Sequence, residues 1–111
     1  MVVAYVFAGE LGIKRRPGLI LSTAAYHAGR SEAILAAITS NTGRLLYGDA
    51  PVTGWQQAGL ALPSVLTAII RTIKQAMVVE RLGTLPTEEL RAAERRWAGI
   101  LALAPRAGPK R

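Results

Sequence analysis

Apolar positions in this chain come in short runs, separated by glycine, proline and small polar residues. That spacing predicts strands rather than long helices over most of the length. Val2 to Phe7, rich in valine and aromatics, reads as a first strand. Ala8 to Lys14, with Gly9, Gly12 and the acid Glu10, reads as a mobile loop ended by Arg16-Pro17-Gly18. Leu19 to Ser22 is a short buried strand, and Ala24 to Ser31 a loop or a single helical turn. Ala33 to Thr39 is a continuous apolar run; its shortness and the Ser40-Asn41-Thr42-Gly43 turn behind it favour a strand. Arg44 to Tyr47 reads as the next strand, closed by Gly48-Asp49. Gly54 to Leu60 reads as a short turn of helix. Pro63-Ser64 opens a strand over Val65 to Ile70, and Thr72-Ile73 and Met77 to Leu82 continue the pattern until Gly83 breaks it.

One long helix is predicted, from Thr87 to Leu103. Glu88 and Glu89 lie in its first turn, where the helix dipole favours negative charge. Leu90, Ala93, Trp97, Ile100 and Leu101 fall on one face at helical spacing, and Pro105 stops the helix. Trp97 is expected to anchor it to the sheet. Several short strands followed by one helix predict an α+β domain, a small curled β-barrel with a C-terminal helix. A single domain is expected over 1–104, with 105–111 a basic tail expected to be disordered.

Composition narrows the chemistry. The chain has 111 residues, half of them hydrophobic, enough for one core. It has no cysteine, one histidine (His27) and seven carboxylates. Disulfides, thiolate nucleophiles and cysteine-ligated zinc are excluded, and a metal site of His and Asp/Glu has little to draw on. No metal or cofactor is expected. The apolar start is too short for a secretory signal and Leu60 to Ile70 too short to span a bilayer, so a soluble protein, compatible with a reducing cytosol, is expected. The net charge of +7 draws polyanions, nucleic acid first among them. Part of that excess sits in the tail, at Arg106, Lys110 and Arg111.

Three stretches, in order, resemble the MazF/PemK family of toxins from type II toxin–antitoxin pairs. Lys14-Arg15-Arg16-Pro17-Gly18-Leu19-Ile20-Leu21-Ser22 is similar to the family's basic-Arg-Pro-hydrophobic segment. Ile34-Leu35-Ala36-Ala37-Ile38-Thr39-Ser40-Asn41 is similar to its strand ending in a hydroxyl pair. The third runs from Gly54-Trp55-Gln56-Gln57 through Pro63-Ser64-Val65 and Thr72-Ile73 to Val79-Glu80-Arg81-Leu82-Gly83, similar to its last strands. Two positions depart. Family members begin with a Gly-Asp pair ahead of the first strand, whereas Met1 here falls within it. Many also carry a basic residue shortly after the Ser-Val pair, where this chain reads Leu66-Thr67.

The resemblance implies an SH3-like barrel, a homodimer, and metal-independent cleavage of single-stranded RNA through the ribose 2′-OH to a 2′,3′-cyclic phosphate. It implies an acidic antitoxin partner whose disordered segment fills the RNA grooves. It also implies that Arg16 and Thr39 are catalytic. A guanidinium suits phosphate because its fork matches two oxygens and never loses its charge. From the residues alone, Arg16 reads better as a surface arginine in a basic triplet, and Thr39 better as a cap on the turn after its strand. Lys14, Arg15, Ser40 and Asn41 are candidates for holding the RNA. Glu10, His27 and Arg71 are further candidates, each also readable as a solvated or structural residue. Arg71 and Lys74 are candidates for lining a groove, and Tyr26 and Trp55 for stacking on a base, with Trp55 more at home in the core or a dimer contact. Two other functions fit such a chain: a non-enzymatic gyrase poison acting through the helix end (Trp97 to Leu103), and an inactive module that only binds its partner.

Overall fold

The computed structural model describes residues 1–10 and 12–103. The strands are β1 (Val2–Gly9), β2 (Gly12–Ile20), β3 (Glu32–Thr39), β4 (Ala50–Val52), β5 (Ser64–Lys74) and β6 (Val78–Gly83); the helices are α1 (Ala24–Gly29) and α2 (Thr87–Ile100). A 3₁₀ turn, Gln75–Met77, joins β5 to β6. The strands form one antiparallel sheet in the order β4-β5-β3-β2-β1-β6, curled into a half-barrel. Register shifts between Ala36 and Ile38 in the β3–β5 pair, and at two points in the β1–β6 pair, bend it. The α+β class and the curled sheet with a terminal helix are as the hydrophobic pattern predicted.

Alternation along the strands gives the sheet two different faces. Val2, Leu19, Ala36, Ile38 and Leu66 join Val52, Ala58, Leu60 and Leu85 in the main core, and α2 closes it with Ala93 and Trp97. Trp97 is buried there, which is the anchor its helical spacing implied, and Trp55 packs against the same cluster. On the other face Tyr5, Ala33, Leu35 and Ile73 form a smaller core. Glu89 fixes the helix start: its carboxylate accepts the backbone N–H groups of Thr53 (2.7 Å) and Gly54 (2.6 Å), just past β4. Gly59 has φ +79°, and a Cβ there would lie 2.0 Å from the Leu82 carbonyl oxygen, so only glycine lets this turn meet β6.

Three expectations change. The loop expected over Ala8 to Lys14 is largely strand: Phe7 pairs with Lys14, Ala8 with Ile13 and Gly9 with Gly12, so the hairpin runs on past the buried part of the sheet. Ala8 and Ile13 face each other there but stay exposed, and the glycines around them read as a loop. Arg44 to Tyr47 is not a strand. Asp49 N–H donates to the Leu46 carbonyl and the Asp49 carboxylate accepts the Leu46 N–H, closing a turn that leaves Leu45, Leu46 and Tyr47 exposed. The strand in that region is instead β4, which contains Pro51. It pairs with β5 alone, so the missing N–H of proline costs no ladder bond. Finally, α2 ends at Ile100 rather than Leu103. Of the two readings of Ala24 to Ser31, the helical one holds: α1 is capped by Thr23 Oγ1, which accepts the Tyr26 N–H. The basic tail expected over 105–111 lies outside the described residues.

Candidate active site

Arg16 stands on β2 opposite Tyr5, and Thr39 ends β3 opposite Val65. Both line one open pocket of about 600 Å³, which reaches Tyr5 and Phe7 of the smaller core and Ile38 and Leu60 of the main one. Ser40 and Asn41 continue β3 along its rim, and Leu46, Leu62 and Ile69 supply apolar wall. Arg44, from the turn before β4, and Arg71, from β5, enter as well.

The electrostatics favour an anion. Among the described residues, no carboxylate pairs with Arg16, Arg44 or Arg71. Asp49 is the one acid lining the pocket, and both its oxygens are taken by backbone: Oδ1 accepts the Ala68 N–H and Oδ2 the Leu46 N–H, each at 3.0 Å. Asp49 therefore holds the Arg44 to Leu46 wall against β5. Gly48 completes that attachment. With φ +91° it lies so close to Ala68 and Ile100 that a Cβ would fall 2.7 Å and 2.8 Å from their side chains. Uncompensated guanidiniums in a half-enclosed pocket bind phosphate by charge and by paired N–H donors.

Thr39 has a local task too. Its Oγ1 accepts the Asn41 N–H at 3.1 Å, the turn cap that the residues alone suggested. As an acceptor in that bond, the hydroxyl keeps its own proton free to donate into the pocket. Arg71 is braced differently: its guanidinium lies 5.5 Å from the centroid of the Phe7 ring, which itself stacks on Tyr5 at 5.9 Å.

Other candidates lie elsewhere. Arg15 alternates to the opposite face from Arg16 and pairs with Glu80 of β6. Lys14 shares the Arg16 side of β2 but falls outside the pocket lining, as does Glu10 in the hairpin turn. His27 Nε2 meets Ser22 Oγ at 2.6 Å, and that hydroxyl accepts the Ile34 N–H at 2.9 Å, so the histidine fastens α1 to β3. Tyr26 lies under the Arg30 guanidinium. Lys74 bonds Glu32 and lines a neighbouring groove. No cluster of His, Cys, Asp and Glu that would hold a metal ion exists among the described residues, and no helix among them is long and apolar enough to cross a membrane. Sequence reasoning missed Arg44, which it placed in a strand, and Asp49, which it read only as the turn closing that strand.

A family model described as the PemK-like, MazF-like toxin of type II toxin–antitoxin systems matches residues 4–101. The chain belongs to the PemK/MazF toxin family. Solved members share its fold. The Mycobacterium tuberculosis toxin MazF-mt6 is 24% identical, the match covering 90% of this chain and 96% of that one, with a TM-score of 0.70. MazE–MazF (form II) from Deinococcus radiodurans is 23% identical over 93% of each chain, with a TM-score of 0.74. An endoribonuclease in complex with its cognate antitoxin, from a mycobacterial species, is 19% identical over 94% of this chain and 95% of that one, with a TM-score of 0.66. No curated protein sequence matches this chain. The Arg-Pro and Ile-Thr segments that carried the resemblance to this family are the ones that line the pocket.

Proposed function

We propose that this PemK/MazF-family chain is an endoribonuclease toxin that cuts single-stranded RNA without a metal, using the ribose 2′-OH as nucleophile. One observation carries the reading: Arg16 and Thr39, on different strands, line a single pocket that also receives Arg44 and Arg71 and holds no free carboxylate. In the reaction the 2′-oxygen bonds to phosphorus and the P–O5′ bond breaks. The products are a 2′,3′-cyclic phosphate and a 5′-hydroxyl, so no water is consumed. Arg16 neutralises the charge that builds on the non-bridging oxygens, and Thr39 donates its hydroxyl proton to one of them. Arg71 and Arg44 hold flanking phosphate, while Ser40 and Asn41 border the strand. The basic residue absent at Leu66-Thr67 is thus supplied from Arg71, since both of those positions are buried and Thr67 Oγ1 is engaged with the Ala37 carbonyl.

The partners follow from the same pocket. An antitoxin with an acidic, disordered segment would fill it by complementary charge and exclude RNA. The chain acts as a homodimer in the cytoplasm.

The test is digestion of a long single-stranded RNA in EDTA by wild type, Arg16→Ala and Thr39→Val. Wild type should give discrete fragments with cyclic-phosphate ends. Loss of one charge-stabilising donor should slow cutting by roughly 10²–10³-fold. Absence of wild-type cutting, or undiminished cutting by Arg16→Ala, overturns the reading. Cutting by wild type only when a divalent metal is restored overturns its metal independence.

A further inference from the structure

Beside the first pocket lies a second open groove of about 470 Å³ that shares Phe7 and Arg71 with it and adds Glu32, Lys74 and Met77. The two are joined by a ladder of flat groups. Tyr5 stacks on Phe7 with an interplanar angle of 30°, and the Arg71 guanidinium lies over the Phe7 ring. A guanidinium braced on one face by an aromatic ring presents its other face to a ligand, and such planes stack on nucleobases. Lys74 brings an ammonium to the same groove, steadied by Glu32 Oε2 at 3.1 Å and by Ser31 Oγ at 3.4 Å. Its side chain remains 63% exposed, so the steadied charge still meets solvent. Thr67, Arg71 and Lys74 lie along one strand, and the stretch from the first to the last spans roughly 20 Å at the ordinary rise of a strand. The two pockets are therefore successive stations along β5.

We propose that the second groove is a nucleotide subsite, in which a base flanking the cut stacks on Arg71 and Lys74 holds its phosphate. This rests on the RNA-cutting reading of the first pocket. A site of this kind prefers any flat base over none, since every base has a π-face, and it lengthens the strand the protein grips beyond the scissile step.

The experiment uses RNA whose 2′-OH at the cut is replaced by hydrogen, so that binding is read without cleavage. Two ligands are compared: a dinucleotide confined to the first pocket, and a longer strand extended on both sides. Each is titrated against wild type, Lys74→Met and Met77→Glu over a range of salt. The longer strand should bind each variant several-fold more weakly than wild type, and for Lys74→Met the log–log salt slope should fall by about 0.7, the value for one phosphate contact on a single strand. The dinucleotide should bind all three proteins alike, which also reports that the variants are folded. Equal loss on both ligands, or loss on neither, overturns the subsite. Failure of wild type to bind either ligand defeats the RNA reading and the subsite with it, a result distinct from the previous one.

Discussion

Thr39 accepts the Asn41 N–H while it lines the pocket, so a hydroxyl that caps the strand end keeps a proton for the phosphate bond proposed above. The two readings open in the sequence were therefore not exclusive. Arg15 and Arg16 give the complementary lesson. They are chemically alike and adjacent, yet strand alternation sends one to Glu80 and the other to the pocket. Glu32 shows what pairing does to a single group. Its hydrogen bonds to Lys74 and Arg30 hold its carboxyl down to about 2, against 4.5 for an ordinary glutamate. Because folding favours the charged form, the stabilisation is complete above pH 4.5 and is lost as the pH falls through 2. Glu32→Gln should therefore melt below wild type at neutral pH, with the gap closing towards pH 2 and narrowing in high salt. Thermal denaturation across pH checks this; a gap independent of pH would remove the ion pairs as its cause.

Among the elements, α2 depends most on one side chain. Trp97 is buried among Val2, Leu19, Ile38 and Leu66, and its indole N–H is the one buried side-chain polar atom without a partner among the described residues. Trp97→Ala should cost about 3–5 kcal/mol, as large aromatic deletions in cores do, measured by urea unfolding. Trp97→Phe should cost less, because it removes an unsatisfied donor along with some volume. A loss of under ~1 kcal/mol for the alanine variant would mean that α2 is not anchored through Trp97. This helix was legible because its apolar positions repeat at 3.6 residues beside an acidic first turn. The hairpin tip and β4 were not. The tip buries no face, and β4 is a short edge strand containing Pro51, so the signals that normally mark a strand are missing or reversed.

At the scale of the molecule, the sheet separates two tasks. One face is sealed by α2 over the main core, while the pocket opens beside Tyr5 and Phe7 of the smaller one. Leu46, Leu62 and Ile69 remain 57%, 56% and 53% exposed along that pocket, and Leu45 and Tyr47 stand out on the same turn. Apolar surface of this extent beside a site is the ordinary mark of a contact with another chain. Sedimentation at micromolar concentration should give twice the 11.8 kDa chain mass, and a monomer there would count against the homodimer. The sequence by itself determined the elements with a strong period, the absence of thiol chemistry, and the two segments that bear Arg16 and Thr39. Each of these is written in local composition or spacing. Only the tertiary structure decided that Arg71 and Arg44 join them, that Arg15 and His27 do not, and that Asp49 is spent on backbone amides. Those outcomes depend on which face a side chain takes and which distant strand lies beside it, and sheet register sets both.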